Sequence, residues 1–269
     1  TFLKTMIGGV AALLSAAAAA QTVTLNVASF PDLDRGIKLA IPLYTKLHPN
    51  VEIKLTSLAY GDHHTAMTTA LATGSNLPDV MAVDMGFIGK FAESGGLEDL
   101  SKAPYNALQF RDKVARFTYP LAMSGQGVMV GMPVNIGPGA LFYRKDLLDK
   151  AGVSEADLTR SWESYIEAGR KLKAATGAWL LASAVDIKDI YIRSDLKDGE
   201  GIYFDKSGKP TIDNARFRKA FELAKAARDA GIDGKIGAWS NEWSEGFKRD
   251  KIASQMMGAW LAGHLNNWL

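Results

Sequence analysis

Apolar and polar residues alternate along the first part of the chain in a way that predicts strands separated by helices. Thr22–Ala28 places its apolar residues on one face, as in a strand, and Ile37–Leu47 repeats them at helical spacing. An alternating stretch at Val51–Leu55, a helical stripe at Ala66–Leu71 and a fully apolar run at Val80–Val83 follow. The last run indicates a strand buried on both faces. The order βαβαβ predicts a parallel sheet.

A second set of elements begins near residue 140. Ala140–Tyr143 is predicted to be a strand, Ser161 to cap a helix, and Trp179–Ala184 to form another strand. The further predicted elements are a helix at Ile187–Leu196, a hairpin spanning Ile202–Ile212, a helix at Ala215–Ala230 that buries Phe217 and Phe221, a helix at Glu242–Arg249 and a strand at Ile252–Met257. Two α/β units joined by a short hinge account for this order.

Residues 1–20 carry the pattern of a cleavable secretory signal peptide. Lys4 supplies the positive charge, Met6–Leu14 the apolar stretch, and Ala18–Ala20 an A-x-A cleavage site before Gln21. A membrane anchor is the alternative, but the apolar run is short for a span of about 20 residues. Without a cysteine after the cleavage site the exported chain is not a lipoprotein, so we expect it in the periplasm.

Composition narrows the classes of protein that need to be considered. Hydrophobic residues make up 47% and charged residues 22%, as in globular proteins. Thirty-one Lys and Arg against 29 Asp and Glu give a net charge of +2, which offers no electrostatic reason to expect nucleic acid as a partner. The chain contains no cysteine, which removes disulfides, thiolate metal sites and cysteine nucleophiles.

The motifs of common enzymes are mostly missing. There is neither a P-loop nor a G-x-S-x-G nucleophile elbow. His63 and His64 are adjacent, so on a helix they point about 100° apart and do not form a chelating pair. We therefore predict no catalytic residue, no metal and no cofactor. Carboxylates predicted at strand ends, Asp32, Asp84 and Asp186, leave glycoside hydrolysis open as an alternative.

Aromatic residues give the strongest chemical signal. Trp239, Trp243 and Trp260 fall within 22 residues, and Phe30 and Tyr60 follow predicted strands of the first unit. An indole offers a flat apolar plate that matches the C–H face of a pyranose ring, while carboxylates and amides bind its hydroxyls. Packing in the core is the alternative for each tryptophan.

Four segments resemble the family 1 extracellular solute-binding proteins, the maltose-binding-protein-like class. They are Leu77–Val80 with Phe91–Leu97, Gly131–Pro133 with Leu141–Leu147 and Ser161–Glu163, Gly199–Gly201 with Gly208–Asn214, and Phe247–Ala253 with Gly258–Trp260. The resemblance implies a two-lobed type II periplasmic-binding-protein fold, each lobe a sheet flanked by helices, with a hinge between the lobes. It places lobe one at residues 21–136 and lobe two at 137–269, and it implies that the C-terminal remainder of the family fold is absent.

The resemblance also implies a set of ligand contacts in both lobes. These are Phe30, Asp32, Tyr60, His64, Asp84, Asn135, Asp186 and Trp260. Trp239 and Trp243 are further candidates, at positions where the family varies, so their role stays open between ligand contact and core.

The function implied is that of a non-enzymatic, monomeric substrate-binding component of an ABC importer. It would bind a mono- or oligosaccharide in the cleft between the lobes and deliver it to the membrane permease subunits. One alternative is the same fold with a non-sugar solute, such as a polyol or a polyamine. A secreted glycoside hydrolase is the less favoured alternative.

Overall fold

The computed structural model describes residues 22–197 and 199–268, and it divides into two compact units between Asn135 and Ile136. The boundary expected from the sequence lies one residue later. The predicted signal peptide at residues 1–20 lies outside the described residues. Within the described part of the chain, every helix is too short or too polar to cross a membrane.

Unit 1 is a small parallel sheet with helices between its strands. Its elements are β1 (Val23–Ser29), α1 (Leu33–Leu47), β2 (Val51–Ser57), α2 (Tyr60–Thr73), β3 (Val80–Met81) and α3 (Met85–Ala92), followed by short 3-10 helices at Ala107–Lys113, Arg116–Thr118 and Pro120–Ala122. The strand order is β2-β1-β3, and Val27 of β1 pairs with both Leu55 and Val80. The predicted βαβαβ order and the parallel sheet are confirmed. The carboxyl ends of the three strands therefore lie along one edge.

The prediction that Val80–Val83 forms a strand buried on both faces is wrong. Strand β3 has two residues, pairs only with β1, and leaves Val80 53% exposed. The strand ends early because the chain turns to begin α3, where the side chain of Asp84 accepts a hydrogen bond from the Gly86 N–H.

Unit 2 is a three-stranded mixed sheet with helices packed against it. Its elements are β4 (Gly139–Tyr143), α4 (Lys145–Ala151), α5 (Glu155–Thr159), α6 (Trp162–Thr176), β5 (Trp179–Leu181), α7 (Val185–Ser194), α8 (Ala215–Asp229), α9 (Asn241–Lys248), β6 (Ile252–Gly258) and α10 (Leu261–Trp268). The central strand β6 runs antiparallel to β4 and parallel to β5. Ser161 caps α6 as predicted, its hydroxyl accepting from the Ser164 N–H.

Three apolar clusters lie in the described part of unit 2, and two of them include strand residues. One contains Leu172 of α6 with Leu180 of β5, and the other contains Phe247 of α9 with Ile252 of β6. The predicted burial of Phe221 is wrong, because α8 turns the stripe Phe217, Ala220, Leu223 and Ala227 inward and leaves Phe221 59% exposed. The hairpin predicted between Ile202 and Ile212 is reduced to an isolated bridge between Phe204 and Pro210.

Candidate functional site

In unit 1, four of the sequence-predicted site residues meet where the parallel strands end. Phe30 follows β1, Tyr60 begins α2 just after β2, and Asp84 follows β3. The ring centroid of Phe30 lies 5.4 Å from that of Tyr60 and 5.1 Å from that of His64, and the Tyr60 and His64 centroids are 4.6 Å apart. Phe87, which sequence reasoning missed, stacks on His64 at 4.0 Å. We call Phe30, Tyr60, His64 and Phe87 the unit-1 aromatic cluster.

The hydrogen bonds of His64 fix its tautomer. The backbone N–H of Asp84 donates to Nε2 at 3.2 Å, so Nε2 carries the lone pair and Nδ1–H donates to the carbonyl of Tyr60 at 2.8 Å. The imidazole is fully buried and uses both nitrogens within the protein. It therefore ties α2 to the residue that begins α3. A direct contact with a ligand stays a prediction that this burial does not favour.

Asp84 and Tyr60 provide the polar atoms of the cluster. The Asp84 carboxylate accepts from the Gly86 N–H at 2.8 Å. Burial, followed by the interaction with the Asp84 carboxylate, raises the pKa of Tyr60 to about 12. The hydroxyl therefore stays a neutral donor, and the Tyr60 ring is 46% exposed. Asp84 and Tyr60 together present a carboxylate beside an accessible ring.

A second buried imidazole supports the same edge of the sheet. His63 Nε2 donates to the carbonyl of Ala82 at 2.7 Å, which joins α2 to the segment after β3. Burial, and to a smaller extent the neighbouring His64, lowers the pKa of His63 despite this hydrogen bond. The sequence analysis considered His63 and His64 only as metal ligands and rejected them, so it missed this supporting role.

Asp32 and Asn135, the two other predicted ligand contacts of unit 1, are not part of the unit-1 aromatic cluster. Asp32 comes two residues after Phe30, has a positive φ of 72°, and lies 3.8 Å from the Arg35 guanidinium. Asn135 is exposed and is the last residue of unit 1. Their part in binding stays a prediction.

In unit 2 the predicted tryptophans meet, and two of them form a stacked pair. The indoles of Trp239 and Trp260 are nearly parallel, with an interplanar angle of 18° and centroids 5.6 Å apart. The His264 ring lies edge-on to both. Trp239 is 55% and Trp260 41% exposed, an unusual amount of accessible indole for two residues in contact. We call Trp239 and Trp260 the indole pair.

The indole of Trp260 rests against glycine backbone. A Cβ added at Gly258 would lie 2.7 Å from Trp260 Cδ1, and one added at Gly137 would lie 3.0 Å from the same atom. Gly258 ends β6 and Gly137 precedes β4. Glycine at both positions lets the pyrrole edge of the ring approach the main chain, so the remaining surface of the ring is left accessible.

Trp243, whose role the sequence leaves open between ligand contact and core, lies in the core. Its side chain is fully buried, its ring centroid is 5.1 Å from that of Trp239, and its indole N–H donates to Gln255 Oε1 at 3.0 Å. On helix α9 it occupies the inward stripe with Phe247, whose ring it meets edge-on. A buried ring offers no face for stacking, so a direct contact of Trp243 with a ligand does not fit its position.

Asp186, the predicted carboxylate of this unit, connects to Trp243 through the same glutamine. Gln255 Nε2 donates to Asp186 Oδ2 at 2.8 Å. Burial raises the pKa of Asp186, although the Gln255 hydrogen bond opposes this shift. Asp186 lies in the first turn of α7, after β5, so it stands at a carboxyl end of a strand as expected. Among the described residues, no three His, Asp or Glu side chains group in a way that could hold a metal ion.

The chain thus has two α/β units, and in each of them aromatic rings and a carboxylate lie near the carboxyl ends of strands. Residues 28–268 match the family described as bacterial extracellular solute-binding protein, and the chain belongs to this family. The solved structures it resembles are type II periplasmic binding proteins, so the predicted fold class is confirmed.

Characterised relatives include two sugar-binding proteins. The chain is 28% identical over 237 residues to the lactose-binding protein of Rhizobium radiobacter, covering 84% of this chain and 53% of that protein. It is 25% identical over 231 residues to the arabinooligosaccharide-binding protein of Bacillus subtilis, covering 84% and 52%. The chain therefore spans about half the length of these curated relatives.

Solved structures give the same likeness. A family 1 extracellular solute-binding protein superimposes with a TM-score of 0.73 at 28% identity, covering 91% of this chain and 63% of that one. The GacH receptor of Streptomyces glaucescens, solved unliganded and with acarbose, superimposes with a TM-score of 0.73 at 25% identity, covering 91% and 63%.

Proposed function

We propose that this protein binds a mono- or oligosaccharide without chemical change and is the substrate-binding component of an ABC importer. The observation that carries the proposal is the indole pair, whose rings are nearly parallel and whose residues are 55% and 41% exposed. Relatives named as lactose- and arabinooligosaccharide-binding proteins support saccharides as the class of ligand.

The chemistry of the two sets of residues suits a neutral, hydroxyl-rich ligand. Flat apolar rings match the C–H faces of sugars, and carboxylates accept hydrogen bonds from hydroxyl groups. Unit 2 supplies the indole pair with Asp186, and unit 1 supplies Tyr60 with Asp84. We propose that these five residues contact the saccharide, and that His64 and Trp243 support them from the interior.

Calorimetric titration and thermal unfolding with lactose, an arabinooligosaccharide and a panel of mono- to tetrasaccharides test the proposal. A sugar bound only by the folded protein stabilises it by about 2.7 kcal/mol at about 100 times its Kd. Chromatography of the same mixtures should return the sugar unchanged. If no sugar raises the Tm, the saccharide assignment fails and a polyol or polyamine panel comes next; hydrolysis products would instead show a glycoside hydrolase.

We also propose that the protein is exported to the periplasm and delivers its ligand to a membrane permease as a monomer. Its membership of an extracellular solute-binding family supports export. N-terminal sequencing of the exported protein should begin at or near Gln21. Recovery of the uncleaved chain from the inner membrane would overturn this part of the proposal and leave sugar binding untouched.

A further inference from the structure

We propose that Gln255 is a positioning residue that fixes the indole pair from inside unit 2, acting through Trp243. The inference rests on the proposed function, because the indole pair is the surface proposed to bind the saccharide. Gln255 and Ser254 are the buried polar residues of β6, and each buried polar side chain requires hydrogen-bond partners.

The hydrogen bonds of Gln255 allow only one orientation of its amide. The residue is 1% exposed; its Oε1 accepts from Trp243 Nε1–H at 3.0 Å, and its Nε2 donates to Asp186 Oδ2 at 2.8 Å and to the Met256 carbonyl at 3.2 Å. An indole N–H can only donate and an ionised carboxylate can only accept. Flipping the amide would oppose donor to donor and acceptor to acceptor. The glutamine therefore orients the Trp243 ring and the Asp186 carboxylate at once.

The orientation of Trp243 is passed to the exposed rings by direct packing. Its centroid lies 5.1 Å from that of Trp239 at an interplanar angle of 51°, and Trp239 in turn stacks on Trp260. Trp239 has a positive φ of 68°, a conformation that a bulky residue keeps only when its surroundings hold it there. Trp243 is part of those surroundings. Loss of the Gln255 hydrogen bond frees Trp243 to turn and removes this support.

The test uses a signal from the indole pair itself, in the 269-residue chain without sugar. Two stacked indoles couple their electronic transitions and give a paired positive and negative band in the far-ultraviolet circular dichroism spectrum. Trp243 lies 5.1 Å from Trp239 and couples to it as well, so Trp260→Phe removes the bands of the indole pair alone, whereas Trp239→Phe removes both couplings. The bands of the indole pair are therefore those lost on Trp260→Phe. Gln255→Met keeps the length of the side chain and removes its hydrogen bonds, and we expect the bands lost on Trp260→Phe to be smaller by at least about half in the Gln255→Met background.

Ser254→Ala is the matched control. Ser254 precedes Gln255 on β6, is equally buried at 1%, and bonds to the Tyr165 hydroxyl at 2.8 Å and the Leu180 carbonyl at 2.6 Å. Successive residues of a strand point to opposite faces. The control should therefore lower the Tm without changing the indole bands. A merely structural role for Gln255 predicts the same behaviour for both variants.

Gln255→Glu is a second variant that tests the same hydrogen bonds, and it is used if Gln255→Met does not fold. The new carboxylate can accept from Trp243 but faces Asp186, so the two carboxylates should share a proton only in acid. We expect the bands to be weak at pH 8 and to recover towards pH 5. Unchanged bands in Gln255→Met, bands in the parent chain that survive Trp239→Phe, or a pH-independent Gln255→Glu spectrum would each overturn the inference. Because no sugar is present, these results are independent of whether a saccharide binds.

Discussion

The indole of Trp260 lies against the backbone of Gly258 so closely that a Cβ at Gly258 would come within 2.7 Å of Trp260 Cδ1. Contacts under 3.0 Å are essentially never made by real Cβ atoms, so the ring would have to move. Because Gly258 has no side chain, the end of β6 has room for the partly exposed ring of Trp260. This arrangement has no evident benefit for packing and is understandable if the ring surface is used.

Gly258→Ala should weaken saccharide binding without unfolding the protein. The methyl group displaces Trp260 from the indole pair. A loss of about 1 kcal/mol of stacking free energy lowers the affinity for the sugar roughly fivefold. Titration calorimetry with the sugar that binds the parent chain measures the change. Gly139→Ala is the control, because Gly139 pairs directly with Gly258 and a Cβ there meets nothing within 4 Å. Equal effects of the two variants would show that the contact with Trp260 is irrelevant.

Trp260→Ala and Trp243→Ala should have opposite consequences. Removing the exposed ring of Trp260 should cost roughly tenfold in sugar affinity or more, since about 1.4 kcal/mol is a factor of ten. It should change the Tm far less than loss of the fully buried Trp243, for which about 3–5 kcal/mol is expected. Titration and thermal unfolding of both variants compare them. If Trp260→Ala unfolds the protein or leaves sugar affinity unchanged, Trp260 has only a packing role.

The unit-1 site could be predicted from the sequence because a parallel sheet brings the ends of its strands to one edge. Once Thr22–Ala28, Val51–Leu55 and Val80–Val83 are taken as strands, the residues after them must meet, and Phe30, Tyr60 and Asp84 do. Phe87 could have been found by the same reasoning. It lies in the first turn of the helix that Asp84 caps, so it shares that edge.

The unit-2 site could not be fully predicted, because spacing does not distinguish an exposed tryptophan from a buried one. Trp239 and Trp243 are four residues apart, yet one is 55% exposed and the other fully buried. The difference arises because Trp243 lies on the inward stripe of α9 while Trp239 precedes that helix in a left-handed conformation. The hydrogen bonds of Gln255 join residues 12 and 69 positions away, which no local pattern reveals.

The contribution of His63 to stability should fall as the pH falls below about 6.5. Burial lowers the pKa of His63 in the folded protein below the ordinary value of 6.5, so the unfolded chain binds a proton more readily. The contribution of His63 is therefore fully present above pH 6.5 and is lost progressively below it. Chemical unfolding at pH 7.5 and 5.5 measures the loss. The pKa of Asp34 in the folded protein is lowered below 3.8, so its contribution to stability is lost at lower pH than that of His63.

His63→Gln isolates this contribution. A glutamine can still donate to the Ala82 carbonyl but does not titrate, so the variant should lose less stability than the parent chain between the two pH values. Unfolding of His63→Gln at pH 7.5 is the control, because it measures the cost of the substitution without the change of pH. Identical pH profiles for the parent chain and His63→Gln would contradict the assignment.

Helix α1 should bind hydrophobic dye in the 269-residue chain. Leu39, Leu43 and Leu47 recur every four residues along one side of the helix and are 77%, 70% and 77% exposed, and a continuous apolar stripe of this kind is unusual on a monomer surface. Leu43→Lys breaks the stripe at its centre and should reduce dye fluorescence. As an exposed substitution it should change the free energy of unfolding by no more than about 0.5 kcal/mol.

Leu108→Lys is the control. It removes a leucine that is 48% exposed on the 3-10 helix Ala107–Lys113, and it should leave dye binding unchanged. Equal losses in the two variants would show that scattered apolar residues bind the dye, and dye fluorescence unaffected by Leu43→Lys would show that the stripe on α1 is not a binding surface.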